Sequence, residues 1–274
     1  MLIHKATPHD LPFCHMLTEM ENWNYSYAEI TSLYSTPSSS FFIARDESPM
    51  GMVASFLYGQ SAWVGLLIVD KHYRGQGVGT LLMNRALHQV STQGAVTVRL
   101  EAVQDAVPLY ERMGFSQEFD SLRMKRHRKG TDTGMECSTF TPDILEEIAF
   151  FDTPYFGSSR TQFLQRCYKL STLRLIKKNS SIAGYLLART ADSHKIGPCV
   201  AENENVFEYL LNIALHQLQG SISLGIPACN EEGVDILTQY GFTITSTSVR
   251  MVRGTKKFQG NPEKIYAIGG PEKG

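Results

Sequence analysis

The residues best placed to do chemistry in this chain form a glycine-rich run. Arg74-Gly75-Gln76-Gly77-Val78-Gly79-Thr80 stands between an apolar run that ends at Val69 and an amphipathic stretch over 79–91. Glycines let successive backbone N–H groups point the same way, and a helix that follows adds its unpaired N-terminal donors and the positive end of its dipole. Such a turn suits phosphate. A nucleotide-hydrolase loop would need Lys at its end, and none is present here. A dinucleotide fingerprint starts well at Gly75 and Gly77, with Glu101 at the end of the next strand as a ribose-binding acid, but Thr80 takes the place of its third glycine. A tight strand-to-helix turn that holds no ligand is the remaining plain alternative.

The elements that must position this turn follow from periodicity and punctuation. Leu2–Ala6 reads as a strand, and Thr7-Pro8 opens a helix that runs to about Met20. After ENWNYS come a short helix around Ala28–Ser35 and the strands SFFIAR, GMVASFLY and AWVGLLIV; the last is apolar on both faces, as a central strand should be. Beyond the turn the pattern predicts a helix over Gly79–Ser91, the strand AVTVRLEA, a short helix ending at Gly114 and a strand around Leu122–Arg126. The second half reads as strands LRLIKK, AGYLLAR, IGPC and SISLGI with helices over Asn205–Gln219 and Glu231–Tyr240.

The chain also repeats itself. NRALHQV at 84–90 matches NIALHQL at 212–218, an offset of 128. AVPLYERMGF at 106–115 aligns with GVDILTQYGF at 233–242, and Arg123-Met124 with Arg250-Met251, both at an offset of 127. Matches in one order at nearly one offset imply duplication of a whole domain. The polar stretch HRKGTDTGME marks the join. The expected division is 1–128, a linker at 129–136, and 137–274. At an offset of 128, Arg74, Gly77 and Gly79 map to Glu202, Asn205 and Phe207, and at 127 Tyr110 maps to Leu237. The second copy is therefore expected to keep the fold without the phosphate site.

Arg74, Gly77 and Gly79 satisfy [Q/R]-x-x-G-x-[G/A], and Ala106 to Phe115 supplies an Ala-x-x-Leu-Tyr-x-x-x-Gly-Phe block. With these two motifs in this order, residues 1–126 resemble the GNAT superfamily of N-acetyltransferases. The resemblance extends to a bacterial subgroup with a second, degenerate GNAT-like domain. It implies an α+β fold of three layers (α/β/α), in two tandem domains, each a mixed twisted sheet flanked by helices. It further implies that Leu67, Ile68 and Val69 pair with the pantetheine arm of acetyl-CoA, while Arg74, Gly75, Gln76, Gly77, Val78, Gly79 and Thr80 hold its pyrophosphate. Val103 departs from the family, where Asn is common three residues before the block.

The implied reaction is direct acyl transfer from acetyl-CoA to a primary amine. This needs donors for the oxyanion, an acid for the thiolate and a neutral amine. By resemblance Tyr110 is the acid, with an unperturbed pKa near 10, and a backbone N–H near Ile68 or Val69 serves the oxyanion. Tyr110 can also be read as a core aromatic. Glu101 and Glu21 are the candidate bases, and each can equally be a solvated carboxylate. Trp23 and Asn24, in Asn22-Trp23-Asn24, resemble a Gly-Trp-Asn segment of the subgroup and are acceptor-site candidates, with core packing as the alternative for Trp23. Asp152 and Arg160, in a D-x-x-x-F-G-x-x-R block, are expected to face the acceptor pocket, against the plainer reading of a capped helix with a surface ion pair.

Composition sets bounds on partners. Residues 1–130 carry 12 basic and 12 acidic side chains and residues 131–274 carry 14 and 15, so neither half has the positive excess that nucleic acid requires. The five cysteines show no CxxC and no metal-ligand spacing, which fits free thiols and no metal. No basic leader followed by an apolar segment opens the chain, and no apolar run approaches the ~20 residues that span a bilayer. A cytoplasmic protein is expected, a monomer or homodimer with no membrane partner, taking acetyl-CoA as cosubstrate and a small-molecule amine or a protein amine as acceptor. The competing class is a non-catalytic protein that responds to CoA or binds a partner.

Overall fold

The computed structural model describes residues 1–23, 25–128, 141–190, 193–218 and 220–274. The expected linker at 129–136 and Cys137 lie outside the described residues. The contacts divide the chain into two units, Met1–Leu100 with Lys273, and Glu101–Glu272 with Gly274.

In the first unit β1 (Leu2–Lys5), β2 (Ser39–Arg45), β3 (Pro49–Tyr58) and β4 (Ser61–Val69) form an antiparallel run, and β5 (Thr97–Ala102) joins β4 in parallel. Thr7 and Asp10 form a capping box that opens a short 3₁₀ turn, and α1 (Leu11–Met20) continues from it. Ser26 and Glu29 cap α2 (Tyr27–Tyr34) in the same way. The stripe Val78, Leu82, Met83, Ala86, Leu87 and Val90 seats α3 (Val78–Thr92) on β2, β3 and β4.

The second unit begins with the end of β5 and α4 (Val107–Arg112), followed by β6 (Ser116–Arg128). Then come α5 (Pro142–Phe156), α6 (Thr161–Lys169), β7 (Thr172–Lys178), β8 (Ser181–Arg189), β9 (Ser193–Ala201) and α7 (Glu204–Gln217). β10 (Gly220–Pro227), α8 (Glu231–Gln239), β11 (Thr243–Gly254) and β12 (Ile265–Ala267) complete it. Leu186, Ala188, Ile196, Met124, Ile222 and Leu224 turn toward Phe207, Leu210, Leu211 and Ala214 of α7. Tyr185, Leu187, Leu173 and Val200 turn toward Leu145 and Ile148 of α5 and Leu164 of α6. Alternate residues of β8 thus serve opposite faces, and the sheet lies between two helical layers, as the fold class requires.

Three helices and strands, α6, β11 and β12, and most of α5 exceed the expected elements. Pro154 in the last turn of α5 reads as a stop, and the Ser/Thr-rich start of β11, exposed over its first five residues, reads as a loop.

The contact division falls between Leu100 and Glu101, inside β5. β6 belongs to the first copy by sequence, yet it pairs antiparallel with β10 on one side and β11 on the other, both from the second copy. In the β6–β11 ladder Ser121 faces Ser248, its own repeat equivalent at an offset of 127. Phe119–Arg250 maps onto Ser246–Arg123 under the same offset, and Ser116–Val252 onto Thr243–Lys125. A local two-fold therefore passes between the two serines.

Glu101 occupies this local dyad. It accepts hydrogen bonds from Ser121 Oγ (2.9 Å), Ser248 Oγ (2.7 Å), Arg250 Nε (2.9 Å) and Nη2 (2.7 Å), and Arg123 Nη2 (3.4 Å). Burial alone would raise its pKa, but Arg250 and then Arg123, with the hydrogen bonds, outweigh burial and hold it below the usual carboxylate range. A depressed folded-state pKa contributes stability above the unfolded value of about 4.3 and loses it as the pH falls through the folded value. Glu101→Gln should therefore cost about 3 kcal/mol at pH 7 and remove part of the acid-side slope of stability against pH. Urea denaturation of both proteins between pH 3 and 7 checks this, with a parallel slope in the variant as the contrary result.

Candidate functional site

The glycine turn folds as its residue types require. Gly75 and Gly77 adopt φ of 76° and 80°, the left-handed region, and a Cβ at either would meet nothing within 4 Å. Conformation rather than space selects glycine there. Gly77 is the N-cap of α3 and supplies no side-chain cap, and the first turn holds no acid. The N-terminal donors of α3 are thus left for a ligand.

β4 prepares the other half of the site. Its parallel ladder with β5 covers only Ser61–Thr97, Ala62–Val98 and Trp63–Arg99. Leu66 then takes φ of 51°, costly for a residue with a Cβ, and the β3–β4 register shifts between Met52 and Ala54. Leu67, Ile68 and Val69 continue alongside β3, beyond the end of the β4–β5 ladder. Asp70 N–H donates to Met50 O on β3 (2.9 Å), so by strand alternation the Val69 N–H points to the opposite edge. Of the two amides expected to serve an oxyanion, Val69 has the suitable direction.

Arg74 is tied down at the head of the turn. Its Nε donates to Val69 O (2.9 Å) and its Nη2 to Glu21. Glu21 at the end of α1 is therefore bound to a cation. Trp23 follows Asn22, which itself has φ of 57°, and is 36% exposed. Asn24 lies outside the described residues.

Tyr110 sits in α4 of the second unit, buried, with its ring edge-on to Phe115 at 6.0 Å. Burial pushes its pKa up to about 12, so the hydroxyl is a protonated donor throughout the physiological range. Glu101 does not suit the part of a base. Its oxygens are saturated by two serines and two arginines, and its proton affinity is lowered.

Asp152 and Arg160 also depart from expectation. They are 0% and 2% exposed and bind each other in a two-pronged pair, Nε–Oδ2 2.8 Å and Nη2–Oδ1 2.9 Å. Tyr185 OH donates to Asp152 at 2.5 Å, Arg160 Nη1 to Gly274 O at 2.8 Å, and the guanidinium lies 4.1 Å from the Phe156 ring centre. Neither is a surface pair, and neither presents a polar atom to an open pocket. The pair clamps the end of α5 to the start of α6, across a turn that Gly157 makes at φ of 91°. Both charges are buried, and Asp152→Asn would leave Arg160 without this carboxylate, so it should lower the free energy of unfolding by about 3 kcal/mol, read by urea denaturation. A loss below about 1 kcal/mol would show that the pair is not a clamp.

The corresponding connection in the second copy is shorter. Eight residues, 70–77, join β4 to α3, whereas two, 202–203, join β9 to α7. Mapping Arg74 and Gly77 onto Glu202 and Asn205 residue by residue therefore does not hold. Asn203 caps α7 through its side chain on Val206 N (3.1 Å), and Glu204 sits in the first turn. β9 also separates from β10 after a three-residue ladder, Ser193–Ser221 to Lys195–Ser223. There β12 enters: Ile265 pairs with Val200, Ala267 with Cys199, and Ile268 N donates to Gly225 O (2.8 Å). The chain's own strand fills the opening, and Tyr266 stacks on Phe207 of α7 at 4.3 Å. Among the described residues no three His, Cys, Asp or Glu side chains gather to hold a metal, and no helix is long and apolar enough to cross a membrane.

Comparison with known proteins agrees with this geometry. Models of the acetyltransferase (GNAT) domain match residues 15–137 and, separately, residues 148–267. An uncharacterized N-acetyltransferase of Bacillus subtilis strain 168, YitH, is 27% identical over 198 residues, 69% of each chain. A holothin acyltransferase of a Pseudoalteromonas species is 24% identical over 93% of this chain and 88% of its own. In fold, a Pyrococcus horikoshii protein provisionally described as an acetyltransferase superposes with a TM-score of 0.82 at 24% identity, over 100% of this chain and 95% of that one. A GCN5-related N-acetyltransferase of Sphaerobacter thermophilus reaches 0.63 at 18% identity over 92% and 95%. With the glycine turn, the parted strands and two successive domain matches, the chain belongs to the GNAT acetyltransferase family as a tandem of two such domains.

Proposed function

We propose that this protein transfers the acetyl group of acetyl-CoA to a primary amine by direct attack, using one active site built on the first copy. The observation that carries the reading is the contrast between the copies. α3 leaves its N-terminal donors uncapped behind a turn of left-handed glycines, while α7 is capped by Asn203 and its opening is closed by β12.

Acetyl-CoA is a substrate, spent in each turnover, and supplies a thioester whose carbonyl carbon is open to a nucleophile. Gly75, Gln76, Gly77, Val78, Gly79 and Thr80 would hold its diphosphate, and the edge of β4 at Leu67–Val69 would pair with its amide-bearing arm. The amine nitrogen attacks the carbonyl carbon, the C–S bond breaks, and the acetyl group leaves on nitrogen as an amide. The Val69 N–H stabilises charge that develops on the carbonyl oxygen. Tyr110 gives its proton to the departing sulfur and is reprotonated by solvent, while the proton lost by the amine passes to water. Trp23 and Asn24 remain the acceptor-side candidates. Glu21 joins them only by releasing Arg74. One relative's name specifies acyl rather than acetyl transfer, so longer acyl-CoA donors belong in the assay.

Two variants test the halves of the site separately. Gly77→Glu places a carboxylate and a strained φ at the mouth of α3 and should abolish binding of acetyl-CoA in calorimetry; retained affinity would put the diphosphate elsewhere. Tyr110→Phe should lower kcat by about 10²-fold with little change in cofactor affinity, read as thiol release over a panel of amines. Unchanged turnover would remove Tyr110 from the reaction, and binding without thiol release on any amine would favour a non-catalytic CoA-responsive protein.

A further inference from the structure

Arg74 stands where the phosphate-turn motif begins, yet its guanidinium is engaged by the protein itself. Nε donates to Val69 O at 2.9 Å and Nη2 to Glu21. The connection that brings it there is short. Asp70 accepts from His72 N at its side chain (3.0 Å) and from Tyr73 N at its carbonyl (2.9 Å), which closes the 3₁₀ turn Lys71–Tyr73 and reverses the chain, so Arg74 returns to the strand end five residues behind it. Glu21 is presented from the end of α1, where its N–H donates to Leu17 O (3.3 Å).

The end of β4 shows what these contacts do. Asp70 N–H donates to Met50 O on β3, so Val69 O, at the other end of that trans peptide, leaves β4 on the opposite side. In a strand the N–H and C=O of one residue share a side, so Val69 N–H leaves there too. Ile68 O, across the peptide from that N–H, turns back to β3: it lies 2.7 Å from where a Cβ on Gly51 would stand, with Val69 Cα at 3.1 Å. Glycine at 51 thus permits a close approach of the two backbones. The Ile68–Val69 peptide is seated against β3, and the Val69–Asp70 peptide is held at both ends, by Met50 O and by Arg74 Nε. Val69 O lies beyond the β4–β5 ladder, on the same side as the amide that meets developing negative charge. A bare carbonyl oxygen there would repel that charge, and a cation bound to it offsets the repulsion and fixes the peptide's direction.

We infer that Arg74 is a positioning residue for the oxyanion amide of Val69, and that Glu21 in turn positions Arg74. This assignment rests on the acyltransferase reading above. By resemblance Arg74 serves the diphosphate and Glu21 the amine's proton, whereas their contacts direct both to the strand end. The Arg74 and Glu21 side chains are 47% and 26% exposed, so their substitution removes little packing and leaves the fold in place for the test.

Arg74→Met keeps the stem and removes the donors. It should lower kcat about tenfold in thiol release over the amine panel, while the calorimetric affinity for acetyl-CoA changes by less than about threefold. Glu21→Leu should lose about as much, and the double variant no more than Arg74→Met alone, because Glu21 acts through Arg74. Glu21→Gln retains an oxygen that can accept from Nη2 but cannot take a proton in place of the carboxylate, so it should recover most of what Glu21→Leu loses. A tenfold fall in acetyl-CoA affinity with kcat retained would make Arg74 a diphosphate ligand and overturn the assignment. Equal losses in Glu21→Gln and Glu21→Leu, or losses that multiply in the double variant, would give Glu21 a role of its own and overturn it as well. A second readout needs no turnover: hydrogen exchange of the Asp70 amide, followed by NMR, should be about tenfold faster in Arg74→Met. Unchanged exchange overturns the assignment even where kcat falls. If the wild type releases no thiol on any amine, the acyltransferase reading fails by itself, and the amide exchange still decides whether Arg74 holds the Val69–Asp70 peptide.

Discussion

Backbone pairing is the constraint on which the rest of this structure depends. Two parallel strands that part within a sheet expose N–H and C=O groups that must be met by something. In the first copy β4 and β5 part after Trp63 and Arg99; in the second, β9 and β10 part after Lys195 and Ser223, at the equivalent place. The second opening is met by β12, a strand of the same chain. That internal strand shows what chemistry the opening accepts: an extended chain of amides laid along the strand edge. The first opening offers a strand edge of the same kind, with the uncapped start of α3 at one end.

The same logic explains how the two copies diverged. A phosphate turn is useful only beside an opening, and in the second copy β12 occupies that place. The connection there has two residues against eight, and Asn203 satisfies the helix donors that the glycines leave free in the first copy. At the β6–β11 ladder the duplication has been retained instead. Both copies of Ser121/Ser248 and of Arg123/Arg250 converge on a single acid, Glu101, which has no acidic counterpart at Ala228. One carboxylate can oppose two arginines only if it stays ionised, and this requirement makes Glu101 unsuitable as a proton acceptor.

Features that depend on local residue type were legible in the sequence. The glycine turn, the both-faces-apolar strand before it, the amphipathic helix after it and the repeat all rest on spacing within a few turns or strands. Features that depend on what comes back from far along the chain were not. Nothing in the type of Ile265–Ala267 announces that it will seat between β9 and β10. A residue-by-residue offset cannot display a connection of different length, so Asn205 and Phe207 were matched to glycines whose turn is absent. The acid and arginine of the 152–160 segment are spaced as a site would be, but Phe156, Phe163 and Tyr185 enclose them, and two of those three are not predictable as neighbours from the spacing.

Charge shows the same division between local and distant information. Summed over each half, acids and bases cancel, and the balance says nothing about an acceptor. Strand order redistributes them: β6 carries Arg123 from the first copy to a place between β10 and β11 of the second, where it and Arg250 oppose the same carboxylate, Glu101. A carboxylate shared in this way arises from exchange of a strand rather than from any charged run in the sequence. The ionised state of Glu101 and the pairing of β6 with β11 therefore depend on each other, since the ladder sets two arginines over one acid and the acid offsets their mutual repulsion.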